Sequence, residues 1–119
     1  MTRPEFSGIR DLTFSGWIRK NLPDSSTGTL VSDLDFIIYN YKTKNILLLE
    51  IKTHNANLKK WQQDIFNLLD EFLKNGVKSP YNYLGFYVIK FENNFFDDGK
   101  VYLNNKESSE KEIMEKLSI

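Results

Sequence analysis

The sequence contains no cysteine and only one histidine, His54, in 119 residues. The first absence removes disulfides, thiolate metal sites and cysteine nucleophiles together. The second removes any zinc centre that draws several histidines from one chain. An excess of charge of either sign is missing as well: 16 basic residues balance 16 acidic ones, for a formal net charge of zero. The protein as a whole therefore exerts no strong pull on nucleic acid, although an acidic site can mask basic walls in such a total. No run approaches the ~18 apolar residues of a membrane span, and the opening Met1–Ser7 lacks the apolar core of a signal peptide. These absences lead to the expectation of a soluble, cytoplasmic protein that does not enter a membrane. There are no internal repeats, low-complexity tracts or linkers.

What is present suits one globular domain over residues 1–119. Hydrophobic residues make up 40% and charged residues 27%, with nine Phe, six Tyr and two Trp as bulky core material. That balance excludes extended disorder, and the length allows one core but not two.

The informative stretch is Val31–Tyr41, followed after the polar break Lys42–Asn45 by Ile46–Lys52. Two apolar runs this close together predict neighbouring strands joined by a turn. The second is apolar on both faces as far as Leu49, the pattern of a strand inside a sheet. Glu50 and Lys52 then follow in that buried setting. Side chains alternate along a strand, so these two share a face, with Cα atoms roughly 7 Å apart, while Ile51 points the other way. Buried charges without partners are costly, so the pattern demands partners. Asp35, and Asp33 two residues before it, open the first strand and can supply them. Two carboxylates and an ammonium on one sheet face suggest a site for a hard cation and a phosphate.

Around this pair the remaining elements follow from periodicity. Leu12, Phe14, Trp17, Ile18 and Leu22 predict a helix over 11–22, stopped by Pro23. Thr29–Val31 reads as a short strand or as the start of the strand that holds Asp35. Leu58, Trp61, Ile65, Leu68, Leu69, Phe72 and Leu73 predict a helix with Asn57 as N-cap and Gly76 as its stop. Tyr83–Phe91 is a second buried strand. Strand, helix, strand at this spacing predicts a crossover between parallel neighbours. Asp97–Gly99 marks a turn and Val101–Leu103 an edge strand. Ser109 and Glu112 form a capping box that opens a last helix. The expected fold is α/β, a mixed sheet with helices packed on it.

An acid at the start of one strand, Glu50-x-Lys52 near the end of the next, then a helix and another strand, resembles the PD-(D/E)XK nuclease superfamily. The likeness covers roughly residues 11–91 and is nearest to small stand-alone junction resolvases, restriction-type and phage-type endonucleases. It implies a restriction-endonuclease-like α-β-β-β-α-β core, followed here by a C-terminal β-α extension. It also implies that Asp35, Glu50 and the Ile51 carbonyl hold Mg2+, with Mn2+ as a substitute, while Lys52 assists the attacking water. The substrate implied is DNA, cut by a homodimer if both strands are cleaved. Leu34 stands where the family has proline, and the literal Pro23-Asp24 lies in a Ser/Thr/Gly loop. Asp33 is the alternative to Asp35; Glu5 or Asp11 could add a further acid, and Gln62 a supporting polar group. Lys42, Lys44, Lys59 and Lys60 could touch the phosphate backbone.

Plainer readings stand beside these. Asp35, Glu50 and Lys52 can be an ion-pair cluster at a strand end, the four lysines a solvated surface, and His54 an exposed loop residue. A catalytically silent nuclease fold that binds nucleic acid or protein, and a nuclease acting on RNA, are the competing functions.

Overall fold

The computed structural model describes residues 13–119. The chain divides into two compact units, one ending at Val31 and the other running from Ser32 to Ile119.

The described part of the first unit holds helix α1, Thr13–Asn21, in which the rings of Phe14 and Trp17 stack 5.5 Å apart. Arg19 and Lys20 occupy its last turn, where cations suit the helix dipole. A 3-10 turn at Ser25–Thr27 follows, capped by Asp24 and ended by Gly28 at a φ of 104°. Asp24 accepts from both the backbone N–H and the hydroxyl of Ser26, which holds its carboxyl below the usual range. The Pro23-Asp24 pair is thus a local cap. Thr29–Val31 forms no strand, contrary to the sequence expectation. Three residues make too short a segment to be stable without a ladder partner.

The second unit is a five-stranded mixed sheet with strands in chain order and helices on both faces. Strand β1, Phe36–Asn40, runs antiparallel to β2, Asn45–Lys52, and Asp35 stands one residue before β1. Helix α2, Lys60–Gly76, carries the chain across to β3, Asn82–Phe91, which lies parallel to β2 as the crossover pattern predicts. β4, Val101–Leu103, and β5, Lys106–Glu107, complete the sheet. Val101–Leu103 is therefore not the edge, because β5 covers it. Asn104 and Asn105, with φ of 49° and 69°, make the two-residue turn between them. Positive φ at both central positions is what a tight, right-twisted hairpin needs, and Asn accepts it more readily than most residues.

β2 is buried from Leu47 to Glu50, as its doubly apolar pattern requires. Its odd positions, Leu47 and Leu49, join Ile89, Phe91, Val101 and Ile113 in the main core. Ile113 comes from α3, Glu110–Leu117, which opens with the predicted capping box: Ser109 Oγ accepts from the Glu112 N–H at 3.1 Å, and Glu112 returns the bond to Ser109 N–H.

The even positions of β2 face α2. There Phe66, the one buried residue of α2, stacks on Phe86 of β3 with ring centroids 4.8 Å apart. Phe66 was not on the expected apolar face, whereas Leu68 and Phe72, which were, stand 51% and 66% exposed. Nor is Asn57 the N-cap. Lys59 occupies that position, its backbone N–H bonded to Gln62 Oε1 at 3.3 Å, and the helix includes Gly76 with Val77 as C-cap. β3 carries a bulge: Ile46 pairs with Tyr83 but Leu48 pairs with Phe86, and Gly85 takes a φ of 118°. That conformation suits glycine, and one extra residue on one strand is the form of a bulge.

Candidate functional site

The β1–β2 pairing ends with Phe36 opposite Leu49, so the next step sets Asp35 beside Glu50. The two bond to each other's strand. Asp35 N–H donates to Glu50 Oε1 at 3.1 Å, and Ile51 N–H donates to Asp35 Oδ2 at 2.8 Å. Lys52 Nζ stands 3.9 Å from Glu50 Oε2. The three residues singled out from the sequence thus meet on one face, at the end of β2 that leads into α2. Residues of antiparallel strands that bond as a pair exchange both N–H and C=O along the same edge, so the Ile51 carbonyl leaves β2 on the side of Asp35.

Glu50 is only 3% exposed, and among the described residues it is the one buried charged or polar side chain. Burial, then the hydrogen bond and charge of Asp35, push its carboxyl up to about 7; the Asp35 N–H and Lys52 oppose the shift without cancelling it. Two acids face one lysine here. That is a surplus of negative oxygen, with Glu50 buried and Asp35 open to solvent, and it suits a hard divalent cation that takes one or two carboxylates and keeps several waters. Among the described residues no three histidine or acidic side chains gather to make a fuller metal cage. Glu5 and Asp11, the proposed extra acids, lie outside the described residues.

The other sequence candidates fall in different places. Asp33 is exposed and precedes the Asp35–Glu50 contact. The side chain of Gln62 caps the backbone of Lys59. Lys59 and Lys60 stand exposed at the start of α2, and Lys60 pairs with Asp64 at 2.8 Å. Lys42 and Lys44 sit in the β1–β2 turn, at the opposite end of β2 from Glu50. Six residue steps along the chain separate Lys44 from Glu50, about 20 Å.

One basic residue beside the acids escaped the sequence reading. Lys90 is the register partner of Lys52, and Val88 that of Glu50, so all four share the α2-facing side. Lys90 Nζ donates to Asn57 Oδ1 at 3.0 Å. The signal that picks out Lys52, a charge inside an apolar strand, applies equally to Lys90.

The position of Glu50 sets the pH response of the metal-free protein. Its folded value of about 7 lies above the ordinary 4.5. Between those two values the folded protein keeps a proton that the unfolded chain has lost, so raising the pH favours unfolding. Urea titrations should show stability falling from pH 5 to pH 8, by on the order of 3 kcal/mol. A flat or rising profile would mean that Glu50 ionises normally.

No protein-family profile matches the sequence, and no solved structure matches the chain. The chain is 38% identical over 96 residues to a protein of Archaeoglobus fulgidus described only as an uncharacterized protein; the match covers 79% of this chain and 63% of that one. The chain thus spans less than two thirds of that relative's length.

Proposed function

We propose that the protein is a magnesium-dependent endonuclease of the PD-(D/E)XK type, hydrolysing phosphodiester bonds in DNA. The observation that carries this reading is the meeting of Asp35, buried Glu50 and Lys52 at one strand end. A restriction-endonuclease-like core is the finer form of the fold this favours. Its support is the order of an antiparallel pair bearing the acids, then α2, then a parallel β3; the further strand expected at Thr29–Val31 is a departure.

In this reading Asp35, Glu50 and the Ile51 carbonyl hold Mg2+, with Mn2+ as a substitute. The bound ion would supply a Lewis acid that activates water and draws charge from the phosphoryl oxygens. Lys52 places its ammonium on the same face, where it orients the attacking water and offsets charge developing on the phosphate. Glu50 Oε1 is steadied by the Asp35 N–H, which fixes the two acids relative to each other. Cutting both strands of a duplex would require a homodimer, since one chain provides one such site.

A catalytically silent fold that binds nucleic acid or protein is the second reading, supported by the presence of only two acids among the described residues at the site. One experiment separates the two. Wild type and Lys52→Met are incubated with plasmid, single-stranded and four-way-junction DNA and with RNA, under magnesium, manganese or chelator. Metal-dependent cleavage that drops about 100-fold or more in Lys52→Met is the expected result. Cleavage of RNA alone would move the substrate to RNA. No cleavage of any substrate would leave the silent fold.

A further inference from the structure

Next to the acid pair, on the same side of the sheet, lies a cleft of about 350 Å³ between α2, which adds Asp70 to its wall, β3, the Asn104–Asn105 turn and the loop Ala56–Leu58. Its size falls within the ~300–1,000 Å³ of small-molecule sites. Phe86 and Val88 form an apolar floor, and Lys90 lies at the end nearest Lys52. Three amides on its rim have already used their oxygens. Asn57 Oδ1 accepts from Lys90, Asn67 Oδ1 from Gln63, and Asn104 Oδ1 from the backbone N–H of Val88. Their amide NH2 groups are the atoms left to engage something in the cleft.

The two lysines are the second observation. Lys52 and Lys90 are directly opposed on neighbouring strands, ~4.8 Å apart in backbone and on one face. Like charges set opposite each other destabilise a sheet. Lys52 has Glu50 nearby, whereas the Lys90 ammonium meets the Tyr102 ring, 5.8 Å from its centroid, and the Asn57 amide oxygen but no carboxylate among the described residues. An anion held between the two ammonium groups would resolve that repulsion. A phosphate has the charge, and the hollow beyond it has the flat apolar floor and polar rim that a base requires: apolar contact with its face and hydrogen bonds to its edge.

We propose that this cleft is a nucleotide subsite, in which Lys52 and Lys90 grip a phosphate and the amide-rimmed hollow over Phe86 and Val88 takes the attached base. The inference rests on the nuclease reading and says where a strand would be held next to the acids. It gives the protein a reason to prefer a base that is unpaired, because a base in a duplex cannot enter the hollow.

The test follows backbone amide shifts by two-dimensional NMR, in chelator, as wild-type protein is titrated with each 5′-deoxynucleoside monophosphate, with deoxyribose 5-phosphate and with inorganic phosphate. Nucleotides should shift Asn57, Asn67, Val88, Lys90 and Asn104, and should bind more tightly than the sugar phosphate. Lys90→Met should weaken every phosphate compound about tenfold, and Asn67→Ala should narrow the gap between nucleotide and sugar phosphate. The spectra themselves report whether each variant is folded. Equal binding of nucleotide and sugar phosphate, or shifts confined to Glu50 and Lys52, would overturn the subsite. The two proposals fail separately: cleavage without cleft shifts removes the subsite and leaves the enzyme, whereas cleft shifts without cleavage remove the enzyme and leave the subsite.

Discussion

Glu50→Gln should make the metal-free protein more stable at pH 8 and at the same time abolish the proposed cleavage of nucleic acid. The two effects share one cause. At pH 8 the wild-type carboxyl is ionised in a site where burial and Asp35 raise its pKa to about 7 and so disfavour the charge. Glutamine keeps an oxygen to accept the Asp35 N–H and brings no charge into the site. Lys52, left without its acid, is still partly exposed and can reach water. Allowing for relaxation, the gain should be about 2 kcal/mol, or roughly 5–10 °C in melting temperature for a chain of this size. The same change deletes a proposed metal ligand, so cleavage should fall by about 1,000-fold or more. Differential scanning fluorimetry at pH 8 in chelator, run beside the cleavage assay, reads both. A melting temperature lower in Glu50→Gln would mean that the carboxylate is well paired with Lys52, the signature of a purely structural ion pair. Sites that trade stability for chemistry are the usual places where a protein tolerates such a cost.

Phe66→Ala should be among the costliest truncations in the second unit, lowering stability by about 3–5 kcal/mol. Phe66 is 2% exposed and is the only buried residue of α2. Its ring lies on Phe86, tilted by 27°, so truncation removes both buried area and an aromatic pair at one point. Phe72→Ala on the same helix offers the control. That side chain is 66% exposed, and its loss should move stability by about 0.5 kcal/mol or less. Urea denaturation of the two variants decides it. A Phe66→Ala loss below 1 kcal/mol would show that α2 is attached to the sheet by other contacts.

These residues also show what the sequence could and could not reveal. β2 was legible because its apolar residues occupy both faces, and Glu50-x-Lys52 stood out because charge is rare in such a run. The cap at Ser109 was legible because it is local: four consecutive residues satisfy each other. The face of α2 was not. At 3.6 residues per turn its apolar residues span an arc of about 160°, with Phe66 at one border, so periodicity alone could not say that Phe66 turns to the sheet and Phe72 away. β5 is two charged residues, Lys106 and Glu107, with no pattern to read. It exists because the Asn104–Asn105 turn returns the chain onto β4. The bond between Asp35 and Ile51 depends on where the β1–β2 ladder stops, a matter of register that no motif encodes.

The bulge at Gly85 makes the length of β3 a question of odd and even. Before it, Tyr83 faces α2, where its hydroxyl bonds to Asp70; after it, Phe86, Val88 and Lys90 do. With every residue kept but the bulge ironed out, the far half of the strand would turn over. Tyr87 and Ile89 would then neighbour Glu50 and Lys52, and Lys90 would be driven into the apolar layer beneath α3. Removing one residue at Gly85 has no such effect: it takes out the extra position and leaves Phe86, Val88 and Lys90 facing α2. A relative one residue shorter here therefore keeps the two sides of its strand, whereas one of equal length that cannot bulge exchanges them, whatever its Glu-x-Lys motif still spells.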